Sequence, residues 1–407
     1  MPAGLNDIAE DLLLVSLLPG YGRAARLRDG RLESLWLRRD DRPSLHGNVY
    51  LGRVARSDRS LGAAFVDLGL AQPGFLPLDA GGPRPHEGES LIVRVVREAF
   101  EDKGPKLSTS LPEALRRRLE PALAGAKAPA LLQRADDPLQ SLFALDDPPG
   151  RVLVDDAGAL AEARGRFEAQ GASGTALELY QGRDTLFDAF GVTEEIEALL
   201  LPEVALPGGG SLLIEPVRSL TAIDVNAGGR RAGDAARLAL ETNLAAAEVV
   251  ARQLRLRKLS GLIVVDFLEL KPREQRQEVV RSLRRHMKPD PQAGQVTPMS
   301  ASGLVEVTRR RAGPALHELL TRPCGLGGAG RAWDPAVLAW EALLRLRHRA
   351  LGRAGRPPKL RVSPALAAAL SGPAAAALQA VEAGLGQQIV IEPESARADE
   401  NPEIVLE

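Results

Sequence analysis

Two stretches between residues 220 and 270 constrain the fold most. "LTAIDVN" ends in Asp224 and Asn226, and "GLIVVDFLEL" carries Asp266 after a second apolar run. Between them, from about Asp234 to Lys258, the pattern is that of one long helix. It opens on a capping aspartate and closes with Arg255, Arg257 and Lys258, charges that complement a helix C-terminus. Two strand ends joined by one such crossover helix can meet in space at the sheet edge. The unbroken apolar run suits a strand buried within such a layer. A basic helix, Pro272 to Met287, continues the alternation and argues an α/β layer.

In α/β sheets, ligands bind outside the carboxyl ends of the strands, and both aspartates sit there. Asp224 and Asn226 are two residues apart, so they face the same side. Two carboxylates and an amide are hard oxygen ligands suited to Mg²⁺, which otherwise keeps water and phosphate oxygens. Such an ion can polarise a phosphodiester and activate water. Acidic residues at strand ends also serve as helix caps and turn formers, and spacing alone leaves both readings open. The loop "NAGGRRAG", Asn226 to Gly233, sets Arg230 and Arg231 beside the acids, where arginines could grip phosphate oxygens.

Residues 11–40 read as strands around a "RDGR" hairpin turn. Residues 47–110 hold five short strands separated by glycine-marked turns, the pattern of a small barrel. Phe65 and Phe75 fall on adjacent strands, with Arg97 and Lys103 following. An exposed aromatic pair beside cations is how OB barrels hold single strands; a pair turned inward would simply be core. Leu111 to Ala130 reads as a helical linker. Residues 131–203 mix the strand "RVLVDD" with helical patterns, and 333–407 form a small α/β tail whose clearest strand is "QQIVIEP". The Ala-rich segment Ala365 to Val381, broken by Ser-Gly-Pro, reads as a surface helix pair.

A chain of 407 residues has room for two to four such modules. Its net charge of −1 excludes an overall basic polyanion binder, so any such site must come from local clustering. The cations are nearly all arginine, with only seven lysines. The lone cysteine, Cys324, rules out an internal disulfide framework and fits a reducing cytoplasm. The run "LLLVSLL" lacks a preceding basic region, and no apolar stretch reaches about 18 residues, so neither a signal peptide nor a membrane span is expected. His46, His86, His286, His317 and His348 are scattered without metal-ligand spacing.

Three segments, "PGGGSLLIEPVRSLTAIDVNAGG", "ETNLAAAEVVARQLRLRKLSGLIVVDFLEL" and "GLVEVTRRR", together resemble the catalytic core of bacterial ribonuclease E and ribonuclease G. "GNVYLGRVARSDRSLGAAFVDLGLAQPGFLPLD" resembles that family's barrel, and "YQGRDTLFDAFGVTEEIE" and "VSPALAAAL…QQIVIEP" resemble its flanking regions. The resemblance implies an α/β multidomain fold. An RNase H-like region, residues 1–45 and 131–205, is split by an OB-fold RNA-binding barrel at 46–110. A DNase I-like catalytic α/β subdomain follows at 206–321, then a small α/β C-terminal domain at 333–407.

Carried over by position, Asp224 and Asp266 are the Mg²⁺-binding aspartates, with Mn²⁺ as a substitute, and Asn226 supports the first of them. Phe65, Phe75 and Lys103 hold single-stranded RNA, and Arg97 replaces a second basic residue. The implied reaction is endonucleolytic cleavage of single-stranded RNA to 5′-phosphate and 3′-hydroxyl ends, in RNA processing and decay. The family's zinc link needs a Cys-x-x-Cys from each protomer. In the degenerate segment 322–332, Gly327 stands where the second cysteine belongs, so zinc is not expected and any homodimer would form without it. Residues 111–130 occupy the place of a 5′-monophosphate sensor, and the chain resembles a shortened G type. An RNA-binding protein without catalysis is the alternative, and a nuclease acting on DNA a more distant one.

Overall fold

The computed structural model of the chain describes residues 11–79, 84–98, 104–135, 147–169, 174–217, 219–229, 235–323, 330–350, 357–399 and 402–406. The chain divides into two compact units. One comprises Met1–Pro43, Pro138–Thr308 and Ala315–Glu407; the other comprises Ser44–Asp137 with Arg309–Pro314. The second is therefore largely an insertion in the first.

The first unit opens with a five-stranded sheet in the order 176–179, 151–154, 12–18, 21–28, 31–39. Strands Leu12–Leu18, Tyr21–Arg28 and Arg31–Arg39 form an antiparallel meander, turned at Gly20 and at Asp29–Gly30, all with positive φ. Strand Arg151–Val154 pairs parallel with the first of them. The helix Pro335–Ala350 packs into the same core, with Trp340 fully buried and stacked on Tyr21 at 5.1 Å. Glu341, one residue on, accepts two 2.7 Å hydrogen bonds from the buried Arg23 guanidinium. The paired helices Pro364–Ser371 and Ala375–Leu385 belong to this core too. Leu366, Leu370, Ala377 and Val381 are buried in it, so the segment expected as a surface pair is half interior. A three-stranded sheet of Val390–Pro393, Lys359–Val362 and Glu403–Val405 completes this end.

The second sheet of this unit has six strands, ordered 203–205, 211–216, 221–226, 261–266, 304–309, 293–296. Helix Ala235–Leu256 is the expected crossover between strand Thr221–Asn226 and strand Gly261–Asp266, and the two strands are parallel neighbours. One face of the sheet is buried. Ile214, Ile223, Val225, Ile263, Val265, Val305 and Val307 meet Ala246, Val250, Leu254, Val279, Leu283 and Met287 of helices Ala235–Leu256 and Arg273–Met287. Residues in alternate positions, including Asp224, Asn226, Asp266, Leu304 and Glu306, are exposed on the other face.

The inserted unit is a closed five-stranded barrel, consistent with an OB-like fold. Strand Val49–Asp58 pairs with both Ala63–Asp67 and Ser90–Arg97, and Gly74–Pro77 pairs with Lys106–Ser108 in parallel to close the circuit. Val54, Ala64, Val66, Leu76, Val93, Val95 and Leu107 fill it. The 111–130 segment is not a free connector. Its helix Glu113–Leu123 packs Leu119 and Leu115 against Val49 and Ile92, and strand Ala130–Gln133 adds to the outside of Val49–Asp58. No single helix among the described residues is long and apolar enough to cross a membrane.

Asp155, just past strand Arg151–Val154, is a buried carboxylate. It accepts a 2.6 Å hydrogen bond from Ser16 Oγ, and Arg347 lies 2.9 Å away. Burial pushes this carboxyl up, but His348, Arg347 and Ser16 more than offset that and hold it below its usual 3.8. A depressed folded value contributes stability above the unfolded pKa, which is lost as pH falls through the folded one. Thermal melts between about pH 3 and 7 should therefore fall on the acid side, and Asp155→Asn should flatten that fall while lowering Tm at neutral pH.

Candidate active site and nucleic-acid interface

Asp224 and Asp266 are register partners at the carboxyl ends of adjacent parallel strands. Neighbouring strands lie about 4.8 Å apart, and register partners project to the same face. Val225 and Val265 point into the core, which turns both aspartates outward, and both are exposed. Asn226, on the same face, donates from Nδ2 to Asp224 Oδ2 at 2.8 Å, orienting that carboxylate. Among the described residues no ion pair neutralises either aspartate. Two carboxylates on adjacent strand ends make a donor set of the hard, anionic type that Mg²⁺ accepts.

Backbone packing fixes where these strand ends stop. Gly303 has φ +92, and a Cβ there would lie 2.5 Å from Phe267 O and 3.8 Å from Asp266 Oδ1. Gly210 also has φ +92, and its Cβ would meet Asn226 O at 2.4 Å. Only glycine permits both approaches. Asn243, fully buried on helix Ala235–Leu256, donates from Nδ2 to Leu268 O at 2.8 Å and accepts from Leu268 N at 3.0 Å. This two-way clip ties the helix to the chain two residues beyond Asp266. Sequence reasoning passed over Asn243; its signal was a single amide on the otherwise apolar face of "ETNLAAAEVV".

On the barrel, Phe65 and Phe75 are register partners whose rings meet edge-on, with centroids 5.9 Å apart and planes at 74°. Ala64, Val66 and Leu76 take the core positions beside them, so both rings lie half-buried on the outer face. The inward reading of this pair is thereby excluded. Register extends the pair into a row with one residue from each of the five barrel strands. Arg56 pairs with Phe65, Phe75 with Lys106, and Lys106 with Arg97. The Arg56 guanidinium lies 4.6 Å from the Phe65 ring centroid, a cation–π contact. A register shift between Val54 and Arg56, and another between Val95 and Arg97, bring the two end arginines into line. Bulges re-aim side chains in this way. Arg56 and Lys106 were missed in the sequence because their positions depend on these shifts.

The remaining candidates, Lys103, Arg230 and Arg231, lie outside the described residues, as do Asp234, Cys324 and Gly327. Among the described residues no group of three or more His, Cys, Asp or Glu could hold a metal ion. Any ion here would therefore rest on the aspartate pair, with water or ligand oxygens completing its shell.

The sequence pattern of the Ribonuclease E/G family matches residues 83–312, more than half of the chain. Ribonuclease G of Escherichia coli K12 is 27% identical over 495 aligned positions, covering 97% of this chain and 99% of that protein. Ribonuclease E of the same strain is 28% identical over 85% of this chain, which spans 40% of its length. Ribonuclease E of Nostoc sp. PCC 7120 is 32% identical over 60% of this chain and 36% of its own.

The row on the barrel generates a test. Phe65→Ala should weaken binding of a single-stranded oligonucleotide by about 1–3 kcal/mol with little change in Tm, because the ring is not core. Lys106→Gln should make the salt dependence shallower by about 0.7 per lost phosphate contact. A large drop in Tm with Phe65→Ala would instead mark the ring as a packing residue.

Proposed function

The chain belongs to the ribonuclease E/G family of endoribonucleases, and on that premise we propose that it cleaves single-stranded RNA at the Asp224–Asp266 strand ends. The observation that carries this reading is the direct register pairing of the two carboxylates, both exposed and with Asn226 bonded to the first. Asp224 and Asp266 would hold Mg²⁺, or Mn²⁺ in its place. Bound there, the ion would polarise the scissile phosphodiester and lower the pKa of attacking water, giving 5′-phosphate and 3′-hydroxyl products. Asn226 fixes the orientation of Asp224, and the Asn243 clip and Gly303 keep the chain around Asp266 from shifting. Phe65 and Phe75 offer faces on which bases stack, while Arg56, Lys106 and Arg97 neutralise backbone phosphates. Arg230, Arg231 and Lys103 are proposed to add phosphate contacts.

The topology supports further parts of the reading. The order of the first sheet, three antiparallel strands followed by two parallel to the first, suits an RNase H-like region divided by the OB-like insertion. The six-stranded sheet with its acids suits a DNase I-like catalytic subdomain. The expected biological setting is RNA processing and decay in the cytoplasm.

Cleavage of an A/U-rich single-stranded RNA should require Mg²⁺. Asp224→Asn and Asp266→Asn should each abolish it while leaving affinity for RNA measured without the metal within about threefold. Normal cleavage by either variant would refute the site, and RNA binding by the unaltered protein without Mg²⁺-dependent products would make it a binding protein. Any homodimer is proposed to assemble without zinc. Elemental analysis of the purified protein should find no stoichiometric zinc, and one zinc per dimer would overturn that.

A further inference from the structure

Helix Arg273–Met287 has a surface that neither the acid pair nor the barrel uses. Its inner face, with Val279, Val280, Leu283 and Met287, is buried against the sheet. At its C-terminal end Arg281, Arg284, Arg285 and Lys288 are all exposed. With 3.6 residues per turn, these four fall within an arc of about 100° and a rise of roughly 10 Å. From Lys271 to Lys288 the chain carries seven Lys or Arg and two Glu, against a net charge of −1 for the whole protein. Both glutamates, Glu274 and Glu278, stand nearer the helix start.

Among the described residues none of the four cations is in an ion pair. Three arginines on other helices, by contrast, are paired: Arg237 with Glu241 at 2.8 Å, Arg252 with Glu195 at 2.8 Å, and Arg117 with Glu113 at 3.6 Å. The helix dipole favours cations in the last turn. Four like charges at i,i+3 and i,i+4 spacing nevertheless repel one another, and a polyanion would relieve that repulsion.

We propose that this helix face is a second RNA-binding surface, which holds the phosphate backbone of a substrate strand extending beyond the acid pair. The choice of RNA as the polyanion rests on the endoribonuclease reading. The segment from Lys271 to Lys288 contains no Phe, Tyr or Trp, and the His286 ring is engaged with Ser282 O at 3.0 Å, so it contacts phosphates rather than stacking bases. A bilayer fits less well, because an interfacial helix must insert its apolar face, and here that face is in the core. The helix starts beyond the strand end that carries Asp266 and runs back about 22 Å along the covered side of the sheet. The cations are at its far end, so only a strand several nucleotides longer than the cleavage site reaches them.

The experiment measures binding of labelled single-stranded RNAs of about 8 and about 30 nucleotides to the full chain in EDTA, over a salt series. The variant is Arg281→Gln/Arg285→Gln/Lys288→Gln. Arg284 is kept because its Nη2 donates to Val296 O at 2.6 Å. The variant should bind the long RNA about tenfold more weakly near 0.1 M salt, with the slope of log K against log salt shallower by about 2, and the short RNA unchanged. Glu274→Gln/Glu278→Gln should move long-RNA affinity the other way. An unchanged long-RNA affinity and slope, or an equal loss for both lengths, would overturn the second surface. So would binding to vesicles of anionic phospholipid that the variant loses while RNA binding stays intact. Mg²⁺-dependent cleavage of the short RNA by the unaltered protein reports on the endoribonuclease reading separately.

Discussion

The parallel pairing of Thr221–Asn226 with Gly261–Asp266 is the constraint on which the acid site depends. A one-residue slip in that register would turn one aspartate into the core among Ile263, Val265 and their neighbours. The valines beside the acids therefore do as much to place them as the acids' own chemistry. Burying Val225 and Val265 under helices Ala235–Leu256 and Arg273–Met287 leaves Asp224 and Asp266 no alternative but the open face. The closeness of the two acids is thus imposed by the apolar packing on the opposite face of the sheet.

The barrel reaches a similar end by irregularity rather than regularity. Two register shifts interrupt strands Val49–Asp58 and Ser90–Arg97, and each sets an arginine opposite a residue of the outer row. The result alternates in kind across the sheet: cation, two aromatic rings, then two cations. Under the proposed function, the ring faces would stack bases and the flanking cations would meet phosphates, contacts that do not depend on base identity.

The sequence made plain what rests on local periodicity and chain length. The apolar runs, the long helix between them and the glycine-marked short strands led to the α/β layer and the five-stranded barrel because each signal lies within a few dozen residues. The side of the barrel on which Phe65 and Phe75 lie was not legible, since both alternations fit the local pattern; only the closed circuit with Leu107 and Val95 fixes it. Arg56 and Lys106 were hidden by bulges, which break the period-two reading. Asn243 was hidden because its partner, Leu268, lies 25 residues away. Helix Glu113–Leu123 read as a connector because nothing in its composition reveals that Leu119 meets Val49. Arg23 and Arg39 were unremarkable as charges, yet both are almost fully buried, paired with Glu341 and with Asp41 and Asp334.

The inserted barrel unit begins and ends at one place: Ala135 N donates to Asn48 Oδ1 at 2.7 Å, across 87 residues of chain. The parent sheet must bring Ser16 to Asp155 across 139 residues. Loop-closure entropy grows with the length of flexible chain that is closed. Once the barrel unit has formed, most of that stretch no longer counts as flexible, and its two ends are already delivered side by side. The insertion thus converts a contact distant along the chain into one whose closure spans far fewer flexible residues.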